Sequence, residues 1–266
     1  MKLTMLCALT ATSAAIAQPH ASDIILKAES GRVAVGRVES GVAVFPRAVF
    51  GASLGTLGIP NASFDPGLDS DNGAFAPSTP IGISLRRALR RWDGAGFTLV
   101  PPERLAITKN TSTITSPASD PDHCRAGDSL LMGVTTSTGR IHQHPAYELL
   151  APAGTGVYLA EIEVWMGSPG LGASPPTFIL FNQNEPAATF DAALVWAEDN
   201  LPAPACPANC DRSTSTPVLN VNDFVCFLNL FAATSCDANC DASTTPPVLN
   251  VNDFVCFQNR FAAGCP

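Results

Sequence analysis

Short apolar runs, broken by polar and turn-forming residues, dominate the chain between residues 22 and 200. The runs are rich in β-branched side chains, and clusters of Gly, Pro, Asn and Asp separate them. They cover residues 23–27, 32–38, 42–45, 82–85, 97–100, 105–108, 112–115, 130–134, 147–150, 156–165 and 177–182. Many short strands in a segment of this size predict a mainly β body, an antiparallel β-sandwich or jelly roll. The stretch 59–80, rich in Pro, Gly, Asn, Asp and Ser, predicts a long surface loop.

Two segments of the body show helical rather than strand periodicity. In residues 186–201, Phe190, Leu194 and Trp196 recur near helical spacing, which predicts a terminal helix. Residues 85–92 predict a second, shorter helix with an apolar face. Its opposite face would carry four arginines, which suit either an anionic polysaccharide or plain solvation: Arg86, Arg87, Arg90 and Arg91.

The C-terminal 61 residues contain an internal repeat. Residues 206–235 reappear as residues 236–265, with 22 of the 30 aligned positions identical. In the first copy, Phe224, Phe227, Leu228 and Phe231 follow helical spacing, so each copy predicts one amphipathic helix. The segment 201–205, Leu-Pro-Ala-Pro-Ala, predicts a semi-rigid linker. Residues 206–266 are therefore expected to form a separate small module.

Composition and the N-terminus indicate an exported protein. The formal net charge of −8 argues against a nucleic-acid partner. Residues 1–17 have the basic start, apolar stretch and Ala-Ile-Ala end of a signal peptide, and no later run is long enough to span a membrane. Of nine cysteines, Cys7 lies in this signal, and the remaining even number predicts disulfides in a secreted or cell-surface protein.

Each repeat spaces oxygen-bearing side chains ahead of its helix. In the first copy, side chains alternate in a turning loop, and an asparagine and a carboxylate follow at the start of the helix. Oxygen ligands in this order suit a hard cation of the size of calcium. The predicted calcium ligands are Asn209, Asp211, Ser213, Asn220 and Asp223 in the first copy, and Asn239, Asp241, Ser243, Asn250 and Asp253 in the second.

The pattern Asn-Cys-Asp-x-Ser followed by Val-Leu-Asn-Val-Asn-Asp-Phe resembles the duplicated calcium loop and helix of dockerin modules. It is most similar to the cysteine-containing, dockerin-like tails of exported proteins from planctomycete-type bacteria. The resemblance implies half an EF-hand in each copy, near two-fold packing, and attachment to a cohesin-like or cell-surface protein. It also implies that the five residues of each set occupy ligand positions 1, 3, 5, 9 and 12.

The repeat departs from that family in three ways. The loop is longer and contains Pro217, or Pro246 and Pro247 in the second copy; the usual glycine is absent; and position 1 is Asn rather than Asp. Calcium binding is therefore expected to be weak, with a dissociation constant of about 10⁻⁴–10⁻³ M. The alternative is that disulfides alone hold the module.

The cysteine spacing is compatible with several pairings. Cys210 with Cys226, and Cys240 with Cys256, would each join a loop to its own helix. Cys206 would then meet Cys265, which leaves Cys236 and Cys124. Spacing alone does not fix the connectivity.

The body contains one candidate metal site. His142 and His144 lie two residues apart and would share one face of a strand. With Glu148 they match the His-x-His-x₃-Glu spacing of cupin barrels and would bind a transition metal, although the later cupin histidine is missing. The alternative is a polar strand face with stacked histidines.

The leading hypothesis is an exported protein whose C-terminal module attaches the β body to a partner. The body loosely resembles uncharacterised β-rich exported domains of the same bacteria, which adds no mechanism. The sequence leans against an enzyme. The rival hypothesis is an extracellular polysaccharide-acting enzyme or carbohydrate-binding protein that the dockerin-like tail targets to its substrate.

Overall fold

The computed structural model describes residues 22–56, 58–85, 87–120, 128–201, 208–211, 213, 216–241, 243 and 247–264, with Asp128 and Cys236 described by backbone only. The predicted signal peptide, most of the linker, Cys124, Cys206 and Cys265 lie outside these ranges.

The body is mainly β, as the short apolar runs predicted. Its strands are β1 Ile24–Glu29, β2 Arg32–Glu39, β3 Val42–Val44, β4 Val49–Ser53, β5 Ala62–Ser63, β6 Leu68–Ser70, β7 Pro80–Leu85, β8 Arg90–Arg91, β9 Leu105–Lys109, β10 Ser112–Thr115, β11 Asp128–Val134, β12 His142–Gln143, β13 Ala146–Leu149, β14 Gly156–Met166 and β15 Thr177–Gln183. They form three sheets, with strand orders β12-β6-β1-β2-β3, β10-β9-β13-β5 and β11-β7-β14-β15-β4, and β8 pairs with β14. Most neighbours are antiparallel, but β1 with β6 and β15 with β4 are parallel pairs.

One apolar core joins the three sheets. Ile24 and Leu68 enter it from the first sheet, Tyr147 from the second and Phe181 from the third, and all four are fully buried. The rings of Tyr147 and Phe181 lie 5.1 Å apart. Because the alternating apolar positions of all three sheets turn toward the same interior, the sheets pack as one body.

Two local predictions for the body were wrong. Residues 85–92 do not form a helix: Leu85 ends β7, and Arg90 and Arg91 pair with β14. The stretch 59–80 is not one surface loop, because it contains β5 and β6, and the β6 residues are buried. In both places pairing with a distant strand, which local periodicity cannot reveal, overrides the local pattern.

A terminal helix closes the body, as predicted. This helix, α1, spans Ala187–Asn200, with Pro186 as its N-cap. Its small residues Ala193 and Ala197 are fully buried against the third sheet, and they let the helix approach closely. Trp196 on this helix packs 5.8 Å from the ring of Trp92.

Two further helices, α2 Val221–Ala232 and α3 Val251–Ala263, form the core of the C-terminal repeat, and a short 3₁₀ turn, Cys236–Ala238, lies between them. Phe227 stacks on its repeat equivalent Phe257, with centroids 4.2 Å apart and planes 8° apart. Phe224 likewise packs on its own equivalent, Phe254, at 5.7 Å. Equivalent residues of the two copies thus contact each other.

Among the described residues, two disulfides hold the repeat, and both match the predicted pairing. Cys210 bonds Cys226 and Cys240 bonds Cys256, each with a Cα–Cα distance of 5.8 Å. Each bond ties a loop to the helix that follows it. Two disulfides are compatible with an extracellular protein. Among the described residues, no helix is both long enough and apolar enough to cross a membrane.

Candidate metal-binding sites

The pairing of three strands in the first sheet brings together two histidines and an aspartate. His142 on β12 lies opposite Asp69 on β6, and Ile24 on β1 lies opposite Leu68. Continuing the register by one residue places His144 opposite Gly67 on one side and Asp23 beside Gly67 on the other. Because residues two apart share a face, these side chains project to the same side of the sheet.

The ligand atoms of Asp23, His142 and His144 lie within 4.8 Å of one another, so the group could hold a metal ion. His144 Nε2 is 3.8 Å from Asp23 Oδ1. The other ring nitrogen of His144, Nδ1, lies 2.9 Å from the carbonyl oxygen of Phe64. Asp23 is fully buried, and its Oδ1 accepts a hydrogen bond from the Gly67 amide at 3.1 Å.

A second buried carboxylate supports the other histidine. Asp69 Oδ2 lies 3.2 Å from His142 Nδ1. The same carboxylate accepts two hydrogen bonds from Arg140, at 3.1 Å and 2.9 Å. Hydrogen bonding to Asp69 raises the pKa of Arg140. This bidentate pair holds Asp69 in place beside the histidine ring.

Glu148, the predicted third metal ligand, lies outside this group. It is exposed on β13, whereas its neighbours Tyr147 and Leu149 turn into the core. Asp23, which sequence reasoning missed, is the carboxylate that meets the two histidines. The only sequence signal for Asp23 is its position as a charged residue directly before the apolar run that begins β1.

The first loop of the repeat brings together four of its five predicted calcium ligands. Asn209 Nδ2 donates to the Ser213 carbonyl at 2.8 Å, and the Ser213 amide donates to Asp211 Oδ1 at 2.9 Å. The Asp211 amide donates to Asp223 Oδ1 at 3.2 Å. The Oδ1 atom of Asn209 is buried and has no hydrogen-bond partner among the described residues.

Asn220, the fifth predicted ligand, caps α2. Its side-chain oxygen accepts the Asn222 amide at 2.8 Å, while Asp223 Oδ2 accepts the Asn220 amide at 2.8 Å. This reciprocal arrangement is a capping box, with the carboxylate at the positive end of the helix. The sequence signal for this cap is Asn followed three residues later by Asp, which is also the spacing of the two predicted ligands.

The second loop repeats this network at the same positions. Asn239 Nδ2 donates to the Ser243 carbonyl at 3.0 Å, and the Asp241 amide donates to Asp253 Oδ1 at 3.2 Å. Asn250 caps α3 as Asn220 caps α2. One contact differs between the described parts of the loops: Asn239 Oδ1 accepts the Ser243 amide at 3.1 Å, whereas Asn209 Oδ1 has no partner there. Burial, together with Asp241 close by, raises the pKa of Asp253.

The predicted arginine face is occupied by protein partners. Arg87 pairs with Glu161 at 3.2 Å and with Asp237 of the repeat at 3.1 Å. Arg90 pairs with Asp120, and Arg91 Nη2 donates to the Thr155 carbonyl at 2.8 Å. Arg86 lies outside the described residues. The three described arginines are therefore held by the protein rather than displayed for an anionic ligand.

The chain thus combines a β-rich body that carries a histidine–aspartate cluster with a helical repeat that contains disulfides. No protein-family model, curated protein or solved structure matches this chain.

Proposed function

We propose that residues 206–266 are a calcium-binding, dockerin-like attachment module that joins the sandwich-like body to a partner protein on the cell surface. The observation that carries this proposal is the equivalence of the two copies. Both have the same capping box and, apart from the contact of Asn239 Oδ1, the same loop network, and both leave equivalent valines in solvent.

The solvent faces of α2 and α3 support a docking role. Val221 is 71% exposed, and its repeat equivalent Val251 is 69% exposed. Val225 and Val255 continue the two stripes one helical turn later, and both are 48% exposed. The phenylalanines on the opposite faces fill the core, so the core of the repeat does not use these valines. Exposed apolar stripes of this kind suit a binding surface on another protein.

The loop chemistry fits calcium. Asn209, Asp211 and Asp223 supply an amide oxygen and two carboxylates, which are the hard ligands that calcium takes. A buried oxygen without a partner, such as Oδ1 of Asn209, costs about 1–3 kcal/mol. A bound cation would offset that cost and also the repulsion between the two carboxylates. Calcium would thereby order the loops on which the docking helices rest.

Calcium titration of the full chain tests the first half of the proposal. We expect binding heat with a dissociation constant of about 10⁻⁴–10⁻³ M and a rise in melting temperature. The double variant Asp223→Asn/Asp253→Asn should lose both, while Glu148→Gln should keep them. Wild-type protein that gives neither heat nor a thermal shift would refute calcium binding.

Cell fractionation tests the second half. Val221→Lys/Val251→Lys should release the chain from the surface of the cells that export it, without changing calcium affinity. Val195→Lys is the matched control, because Val195 is 59% exposed on α1 of the body. Unchanged surface retention would contradict the attachment role. A dimer of wild-type chain that the double variant abolishes would instead assign the face to self-association.

A further inference from the structure

We propose that Asp23, His142 and His144 bind one divalent transition metal ion of the zinc type. This inference concerns the body and is independent of the calcium-binding role proposed for the repeat. Two imidazoles and one carboxylate form a ligand set that selects such ions over calcium or magnesium, which prefer oxygen ligands alone.

The distance between His144 and Asp23 requires only a small adjustment on binding. Two ligands about 2.1 Å from a tetrahedral zinc ion lie about 3.4 Å apart. His144 Nε2 and Asp23 Oδ1 are already 3.8 Å apart, and all three ligand atoms fall within 4.8 Å of one another. A shift of about half an ångström in one side chain therefore brings the first pair to bonding geometry.

The surroundings of the ligands are those that metal sites use. A metal-binding histidine commonly presents its other ring nitrogen to a carbonyl or carboxylate, which fixes the ring. His144 Nδ1 lies against the Phe64 carbonyl at 2.9 Å, so its Nε2 is the nitrogen that faces Asp23. Asp23 is in turn held by the Gly67 amide. Both partners are backbone groups of the short segment between β5 and β6, and Gly67 directly precedes β6.

The ligand set also leaves one tetrahedral position for an additional ligand. Asp23 is fully buried, whereas the side chains of His142 and His144 keep 32% and 23% of their surface exposed. Water or a small anion would reach this fourth position past the exposed parts of the two rings. This arrangement is typical of zinc sites that exchange a ligand, in contrast to closed four-ligand structural sites.

Titration of the metal-depleted full chain with Co²⁺, followed by its visible d–d absorption, tests the proposal. We expect one Co²⁺ per chain and displacement by an equivalent of Zn²⁺. Loss of an outer hydrogen-bond partner alone costs 10–100-fold in affinity, so His144→Ala, His142→Ala and Asp23→Asn should each weaken binding by at least about 100-fold. Asp23→Asn keeps the acceptor for the Gly67 amide, and near-ultraviolet circular dichroism confirms that it folds.

Two matched variants separate this site from other ligands on the chain. Glu148→Gln should retain full affinity, because Glu148 lies outside the cluster. Asp223→Asn/Asp253→Asn should retain it as well, because those carboxylates belong to the repeat. Failure of the wild-type chain to bind a stoichiometric ion would overturn the proposal. Equal affinity in His144→Ala and Glu148→Gln would overturn it too, and the cluster would then consist of carboxylate–histidine contacts alone.

Discussion

At the residue scale, Gly67 determines where the His144 ring can lie. A Cβ atom at position 67 would come within 2.5 Å of Cε1 and 2.7 Å of Nε2 of that ring. Real Cβ atoms do not approach ring atoms so closely, so the ring rests on bare backbone. The missing side chain is what lets Asp23 and His144 approach each other from strands on opposite sides of β6.

We expect Gly67→Ala to displace the His144 ring and to destabilise the body by about 1–3 kcal/mol, the usual cost of overpacking. Urea unfolding followed by tryptophan fluorescence measures this. Gly96→Ala is the matched control, because its Cβ would lie 3.3 Å from Trp196 and needs only a small shift. Equal stability of Gly67→Ala and wild type would show that the ring moves aside without cost. In that case the Asp23–His144 contact is not held by packing.

Sequence reasoning found two of the three ligands of this cluster. The spacing of His142 and His144 was enough to place them on one face, because strand geometry is local. The third ligand depends on the parallel pairing of β1 with β6, which no local pattern reports. Glu148 was predicted from proximity in sequence, but it follows a change of strand and turns outward.

At the element scale, Asn220 and Asn250 act as caps for α2 and α3. Replacement of an Asn cap by Ala costs about 1 kcal/mol, whereas Ser caps as well as Asn does. We therefore expect Asn220→Ala to lower the stability of the repeat by about 1 kcal/mol and Asn220→Ser to leave it unchanged. Chemical unfolding monitored by far-ultraviolet circular dichroism measures both.

The same pair of variants separates capping from calcium ligation. The Oδ1 atom of Asn220 is already bonded to the Asn222 amide, so Asn220→Ser should bind calcium as wild type does. A tenfold or larger loss of calcium affinity in Asn220→Ser, with stability unchanged, would instead make Asn220 a ligand, as the dockerin resemblance implies.

Each disulfide is expected to contribute similarly to the repeat. Both bonds join residues 16 apart in sequence, and closing a loop of about this length contributes roughly 3 kcal/mol through the unfolded chain. Cys210→Ser/Cys226→Ser and Cys240→Ser/Cys256→Ser should thus lower the unfolding free energy by similar amounts. Guanidinium unfolding with and without reductant measures this. Variants whose unfolding free energy equals that of oxidised wild type would contradict this expectation. Reductant should remove the difference in unfolding free energy between variants and wild type.

The elements that sequence predicted well are those with a local cause. The terminal helix and the repeat helices follow from 3.6-residue periodicity and capping residues. The helix prediction at residues 85–92 was wrong because Leu85 and Leu89 are buried by strand packing and not on one face of a helix. Leu85 lies in β7, and the chain then turns into β8, which pairs with β14. Alternating and helical patterns cannot be distinguished over so few residues.

At the scale of the whole molecule, Arg87 links the body to the repeat. Its guanidinium contacts Glu161 on β14 and Asp237 in the turn before the second loop. Glu161 is largely withdrawn from water, and burial raises its pKa to about 7, although Arg87 acts in the opposite direction. Asp237 and Glu163, the other charged groups near it, add to the rise. The contact between body and repeat therefore contains a carboxyl group that titrates near neutral pH.

This carboxyl group should make the stability of the chain depend on pH. Its pKa is about 7 in the folded state, above the ordinary value of 4.5, so the folded state favours the protonated form. The resulting stabilisation is complete below about pH 4.5 and is lost as the pH rises through about 7.

We expect Glu161→Gln, whose side chain stays neutral, to have a higher melting temperature than wild type at pH 8 but not at pH 5. Glu148→Gln, on the exposed face of β13, serves as the control and should follow wild type at both values. If the difference between Glu161→Gln and wild type is the same at pH 5 and pH 8, Glu161 is already ionised at the lower pH, and Arg87 compensates fully for its burial.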